Sequence, residues 1–362
     1  MHPLIITPLY PPAVGGAATY YSQIAAELVQ RDEISALTIL TERYPGQPRI
    51  QNEGALTILR LLPTRISRPQ RAYPIHATTF ALTQAWFNTQ LPGLVHDRGI
   101  DLVHFHTRFA SGLFPGAVRR CAAPTVADLR DKLVDPAKLA GFAQRLICCC
   151  EGVYQFALDG GFPPERADLI PLSFTPPSPP FPSQIQRVHD TQGLGDTPYL
   201  LFVGDVNENK GVLDLLQAYS QWRSSHPEVA LAIVGVNRLG KAFQNQVDAT
   251  KGAAYLGSMP RETVLALMSG AEIVVLPSRS EGLPRVILEA VALGRKVVAP
   301  PNIPEFDRRI PEFVLSRTDV ATLAETLERV WNQDHTPSFP FSPYRLADVA
   351  TAIICTYAAA IR

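Results

Sequence analysis

Ser280-Glu281-Gly282-Leu283-Pro284-Arg285-Val286-Ile287-Leu288-Glu289-Ala290 places two carboxylates eight residues apart, across a turn that leads from an apolar run into a helical pattern. Residues 272–277 read as a buried strand, and 283–293 as a helix with Pro284 in its first turn and Gly294 as its stop. Another strand begins at Lys296. In such a unit Glu281 lies in the loop at the strand's carboxyl end. The amides of Gly282 and Leu283 then point outward at the positive end of the helix, where a diphosphate fits. Glu289 is placed to accept hydrogen bonds from a ribose diol, and Glu281 from sugar hydroxyls beside the phosphate. A surface helix with one solvated glutamate would carry the same pair without any ligand.

Apolar strands and amphipathic helices alternate from end to end of the 362 residues, which predicts an α/β protein with parallel sheets covered on both faces. Strands are expected over 4–7, 36–40, 56–61, 102–105, 125–127 and 145–149, and again over 199–204, 230–234, 253–256, 273–276 and 297–299. Between the two sets, Thr175-Pro176-Pro177-Ser178-Pro179-Pro180-Phe181-Pro182 continues neither regular element. The expected organisation is a domain over 1–173, a proline-rich linker over 174–196, a second domain over 197–342, and a C-terminal helix over 343–362.

Lysine plus arginine and aspartate plus glutamate number 33 each, and no long basic tract occurs, so nothing calls for nucleic acid. Five cysteines, three of them adjacent at 148–150, give neither a disulfide framework nor zinc spacing and suit buried thiols in a reducing cytoplasm. Residues 1–8 lack the basic start and unbroken apolar core of a secretory leader. A basic loop over 60–71, with Arg60, Arg65, Arg68 and Arg71, suggests a peripheral contact with an anionic membrane surface; a solvated loop explains it equally well.

The 280–290 segment resembles the retaining glycosyltransferases of family 4, which carry a Glu-x7-Glu motif in this strand-loop-helix context. Val275-Leu276-Pro277-Ser278 before it and Ile303-Pro304-Glu305 after it are similar to the family as well. So is Leu201-Phe202-Val203-Gly204-Asp205-Val206-Asn207-Glu208-Asn209-Lys210-Gly211, where the family has Gly-Arg followed by Lys-Gly and both cations reach the donor phosphates. Here Asp205 stands in the arginine's place, while Lys210 is retained. Tyr10-Pro11-Pro12-Ala13-Val14-Gly15-Gly16 looks like the family's N-terminal Gly-Gly loop, whose second glycine, here Gly16, lies against the donor phosphate.

The family's first-domain histidine near the reacting sugar falls at Arg130 in this chain, a permanently charged group that cannot act as a general base. His106 and Arg108, at the end of the 102–105 strand, are candidates for the acceptor side. The resemblance implies a GT-B fold of two facing Rossmann-like domains. It also implies a retaining transfer of a sugar from a UDP- or GDP-sugar to a hydroxyl on a glycan, a lipid-linked acceptor or a small molecule. On that basis Glu281 and Arg130 are the catalytic candidates, and Gly16, Lys210, Asp205, Gly282, Leu283 and Glu289 the donor-binding ones. No cofactor or metal is expected, and Arg130 is expected to supply, from the first domain, the positive charge that Asp205 withholds. A catalytically silent relative that binds a nucleotide or a partner subunit is the alternative.

Overall fold

Leu4 to Ile6 and Leu37 to Leu40 are apolar with almost no polar alternation, a pattern that suits only strands buried on both faces, and every residue of both runs is buried. The computed structural model describes residues 1–13, 16–63 and 73–362. It divides into two units, Met1–Thr175 with Ser342–Arg362, and Pro176–Phe341.

In the first unit, β1 (Pro3–Ile6), β2 (Leu37–Glu42), β3 (Ile50–Glu53), β4 (Leu56–Leu62), β5 (Leu102–His106), β6 (Thr125–Leu129), β7 (Arg145–Cys148) and β8 (Ala167–Leu169) form one sheet. The order is β3-β4-β2-β1-β5-β6-β7-β8, parallel except for the β3–β4 pair. The strand order reverses at β1, so the loops after β1 and β5 flank the switch point where open sheets of this kind bind ligands. The helix Gly16–Leu28 follows β1 directly.

The helix Leu346–Ile361 completes this unit. Its Val349, Ala350, Ile353, Ile354 and Tyr357 join Ile5, Tyr21, Ile24, Leu37 and Ile39 in one buried cluster. Two side-chain bonds pin it: Tyr357 Oη lies 2.6 Å from His104 Nδ1, and Thr356 Oγ1 donates to Asp168 at 2.9 Å.

In the second unit, β9 (Tyr199–Val203), β10 (Ala230–Val234), β11 (Ala253–Gly257), β12 (Ile273–Val275) and β13 (Lys296–Val298) pair in parallel in the order β11-β10-β9-β12-β13. The order reverses between β9 and β12, which puts the loops carrying Lys210 and Glu281 on either side of the switch point.

Four expectations are corrected. The helix after β12 runs Arg285–Ala292, with Pro284 as its extended N-cap; Leu283, expected to begin it, is excluded because a residue before proline is driven out of the helical region. The 174–196 segment is not linker throughout: Pro182–Gln192 is a helix of the second unit, started by Pro182, capped by Gln184 Oε1 on the Phe181 amide at 2.9 Å, and stopped at Gly193 with φ 70°. The final helix begins at Leu346, after a 3-10 turn at Ser342–Tyr344. Arg60 does not belong to a surface loop; it is buried within β4, donating to Gln51 Oε1 at 2.8 Å and to the Pro11 carbonyl at 3.3 Å. Arg65, Arg68 and Arg71 lie outside the described residues.

Replacing Ile353 by Ala is expected to cost about 2–5 kcal/mol, as for a fully buried aliphatic side chain. Ile361→Ala, at a side chain 45 % exposed, should cost under about 0.5 kcal/mol. Urea denaturation of the two variants checks the contrast, and equal midpoints would refute the packing role of the helix.

Candidate functional site

The loop after β9 must turn sharply to bring Lys210 back over the sheet. Asn207 caps a 3-10 turn, Glu208–Lys210, by accepting from the Lys210 amide at 3.1 Å, and Gly211 ends it in the left-handed region with φ 67°. Only glycine fits there, since a Cβ would sit 2.4 Å from the Pro277 carbonyl oxygen. The same crowding brings the post-β9 and post-β12 loops together. Asn209 Nδ2 donates to the Ser280 carbonyl at 3.0 Å, and the Arg279 amide to the Asn209 carbonyl at 2.8 Å. The Arg279 guanidinium reaches back to the Glu208 carbonyl and, at 2.6 Å, to Asp214 Oδ2.

Across this seam Lys210 Nζ forms an ion pair with Glu281 Oε1, both side chains partly buried. Gly282 and Leu283 form the bend before the helix Arg285–Ala292, and Leu283 is buried. Lys210, Glu281, Gly282 and Leu283 are therefore adjacent at the switch point.

Glu289, on the same helix, is buried and accepts from Arg261 Nη1 at 2.7 Å. Burial lowers the pKa of Arg285 beside it, an effect that the Glu289 charge opposes. Asp205 faces away from a lone-anion role: its Oδ2 lies 3.2 Å from Arg238 Nε. Arg238, Arg261 and Arg279 escaped sequence reading because each acts through a partner distant in the chain. The signal available was only a basic residue shortly after the end of a strand.

In the first unit, Gly16 is the first residue of the helix Gly16–Leu28; Gly15 lies outside the described residues. Arg130 follows β6 and is held by neighbours of its own unit. Its Nε and Nη2 donate to Asp128 Oδ2 at 2.9 and 2.5 Å, and its guanidinium lies 3.9 Å from the ring centre of Tyr20 and 4.5 Å from that of Tyr21. Tyr21 Oη donates to the same carboxylate oxygen at 2.8 Å. The side chain of Arg130 is 9 % exposed and that of Asp128 1 %. The expectation that Arg130 compensates for Asp205 thus meets a different arrangement, since each charge is already neutralised inside its own unit.

Burial alone would raise the pKa of Asp128, but the guanidinium of Arg130 and the His104 ring, whose Nε2 lies 3.4 Å from Oδ2, outweigh it and hold the carboxyl well below the usual range. His106 is also buried and accepts the Arg108 amide on Nδ1 at 3.1 Å, capping the 3-10 turn Thr107–Phe109, while Arg108 is exposed. Burial, and then the charge of Arg130, push the His106 pKa down to about 3.

Among the described residues no group of three or more His, Cys, Asp or Glu is placed to hold a metal ion, and no helix is long and apolar enough to cross a membrane.

Residues 197–333 match the family described as "Glycosyl transferases group 1", and residues 15–173 match "Glycosyl transferase 4-like domain". The chain is 26 % identical to the GDP-mannose-dependent alpha-(1-6)-phosphatidylinositol monomannoside mannosyltransferase of Mycolicibacterium smegmatis, over 82 % of this chain and 79 % of that one. Among solved structures it is similar to the sucrose-phosphate synthase of Thermosynechococcus elongatus, with a TM-score of 0.72 and 17 % identity over 100 % of this chain and 95 % of that one. It is also similar to the Anabaena protein HepE, determined in complex with UDP and glucose, with a TM-score of 0.67 and 18 % identity over 98 % and 94 % of the two chains. The two doubly wound units are the halves of a GT-B fold. The chain belongs to the family 4-type glycosyltransferases.

The first unit is expected to lose stability in acid. The folded state binds fewer protons at His106 than the unfolded chain between the ordinary value of 6.5 and about 3, so stability rises with pH across that window and levels off above it. Asp128 adds a loss of the same sign below its ordinary value of 3.8. Denaturation midpoints at pH 4 and pH 7 measure the difference, and His106→Gln should shrink it. An unchanged pH slope in that variant would count against the buried neutral imidazole.

Proposed function

We propose that this glycosyltransferase moves a sugar from a nucleoside diphosphate sugar to a hydroxyl acceptor with retention at the anomeric carbon. The observation that carries the reading is the meeting of Lys210 and Glu281 at the β9–β12 switch point, in front of a helix start. In this reading the donor diphosphate lies over Gly282, Leu283 and the first turn of Arg285–Ala292, where backbone amides and the helix dipole favour an anion. Lys210 releases Glu281 and turns to the phosphates; Glu281 then accepts hydrogen bonds from the sugar hydroxyls. Glu289 receives the ribose diol on the carboxylate that Arg261 steadies.

As the bond from C1 to the phosphate oxygen breaks, Lys210 and the amides absorb the negative charge that develops on the leaving group, which lowers the barrier. The acceptor oxygen bonds to C1 on the same face, and its proton passes to the departing phosphate oxygen. No side chain need act as base, which is compatible with Arg130 where the family has histidine. Arg130 organises the first unit's switch point through Asp128, Tyr20 and Tyr21, and His106, Arg108 and Gly16 stand at that end of the unit. A relative named as GDP-mannose-dependent and a similar fold bound to UDP support a nucleoside diphosphate donor and leave both bases as test arms.

The test is incubation with a panel of UDP- and GDP-sugars, scoring donor hydrolysis without acceptor. Glu281→Gln should lower turnover at least about 100-fold while melting within a few degrees of the parent protein. Equal losses of activity and stability would show that Glu281 serves the fold. Lys210→Ala should weaken UDP or GDP binding by about 1.5–3 kcal/mol in titration calorimetry, and an unchanged affinity would overturn its role.

A further inference from the structure

Asp205 occupies a place where a cation is expected, yet the structure sets a cation against it. The chain leaving β10 runs hard against the chain leaving β9. Gly235 has φ 146°, and a Cβ on it would fall 1.8 Å from the Gly204 carbonyl oxygen, so the two loops touch backbone to backbone. Three ladder bonds continue past the strands: Gly204 N to Val234 O at 3.0 Å, Val206 N to Val236 O at 2.9 Å, and Arg238 N to Val206 O at 2.9 Å. This ladder fixes the base of Arg238 beside the turn at Gly204 and Asp205. Lys210 packs on the same turn, its Cδ 4.0 Å from where a Gly204 Cβ would stand.

The way in which Asp205 holds Arg238 matters. Oδ2 takes the Nε hydrogen at 3.2 Å, and the two terminal nitrogens have no partner among the described residues. Both side chains are about half exposed, at 46 % and 45 %. An exposed pair of this kind is weak and exchanges readily. A guanidinium held by Nε alone keeps its outer edge open, and that edge is the one that binds a phosphate in two parallel hydrogen bonds.

We infer that Arg238, oriented by Asp205, is a donor-phosphate ligand of this enzyme. The inference rests on the nucleotide-sugar reading above. It assigns to the post-β10 loop the second cation that the post-β9 loop lacks, and it gives Asp205 a positioning role. Each cation rests on a carboxylate, Lys210 on Glu281 and Arg238 on Asp205. An arriving diphosphate draws both cations to itself.

Titration calorimetry with UDP and GDP, and in parallel with uridine and guanosine, tests the assignment. Arg238→Ala is expected to weaken the better-bound nucleoside diphosphate about 10- to 100-fold, and to leave affinity for the matching nucleoside unchanged. Arg238→Lys, which keeps the charge but loses the fork, should fall between. The charge exchange Asp205→Arg with Arg238→Asp should recover most of the affinity, because the cation returns to the other side of the same contact. If Arg238→Ala binds the diphosphate as the parent does while Lys210→Ala does not, the inference is wrong and the donor reading stands. An equal loss for diphosphate and nucleoside would mean that the arginine only shapes the loop, which also overturns it. If the parent protein binds neither diphosphate, the donor reading fails and the inference fails with it.

Discussion

Lys210 and Glu281 lie 71 residues apart in the chain, and their ion pair exists only because two loops are forced into one place. Gly211 has to accept a left-handed conformation against the Pro277 carbonyl, and Asn209 and Arg279 have to tie the loop backbones together. Neither charge is deeply buried, so the pair gains little from being made and loses little when an anion replaces the carboxylate. That balance is what a binding site needs. A fully desolvated pair in the same position would resist any ligand, because breaking it would strand a charge.

The cluster around Arg130 sits at the opposite extreme. Asp128 is almost fully enclosed, and the guanidinium, two tyrosine rings and the hydroxyl of Tyr21 surround it. Removing Arg130 would leave the Asp128 charge buried and uncompensated. An imidazole in place of Arg130 would titrate; a guanidinium does not, and the whole arrangement keeps a single charge state across ordinary pH. The cluster joins the helix after β1, the ends of β5 and β6 and, through His104 and Tyr357, the final helix. It acts as a rigid polar node and not as a source of protons.

The parallel strands were legible in the sequence because burial on both faces writes an unbroken apolar run, as in β2 and β9. Elements without that signature were missed. The edge strand β3, Ile50-Gln51-Asn52-Glu53, is polar and exposed. The helix Pro182–Gln192 has no buried residue of its own and follows a proline cluster, so it read as linker. The adjacency of Lys210 and Glu281 was legible because strand-loop-helix order carries both to the same edge of a sheet. The arginine partners of Asp205 and Glu289 were not, since Arg238 and Arg261 meet them across 33 and 28 residues of chain, and only the folded strand order shows which loops are neighbours.

The final helix bears on how this protein comes to be folded as it leaves the ribosome. The second unit, Pro176–Phe341, is a single uninterrupted stretch, whereas the sheet of the first unit waits for Val349, Ile353 and Tyr357 to close its core. The half of the molecule made first is therefore the half finished last. Throughout synthesis of the second unit, the helix Gly16–Leu28 is present in that core but the part that the final helix fills stays open, and exposed apolar surface of this kind favours aggregation.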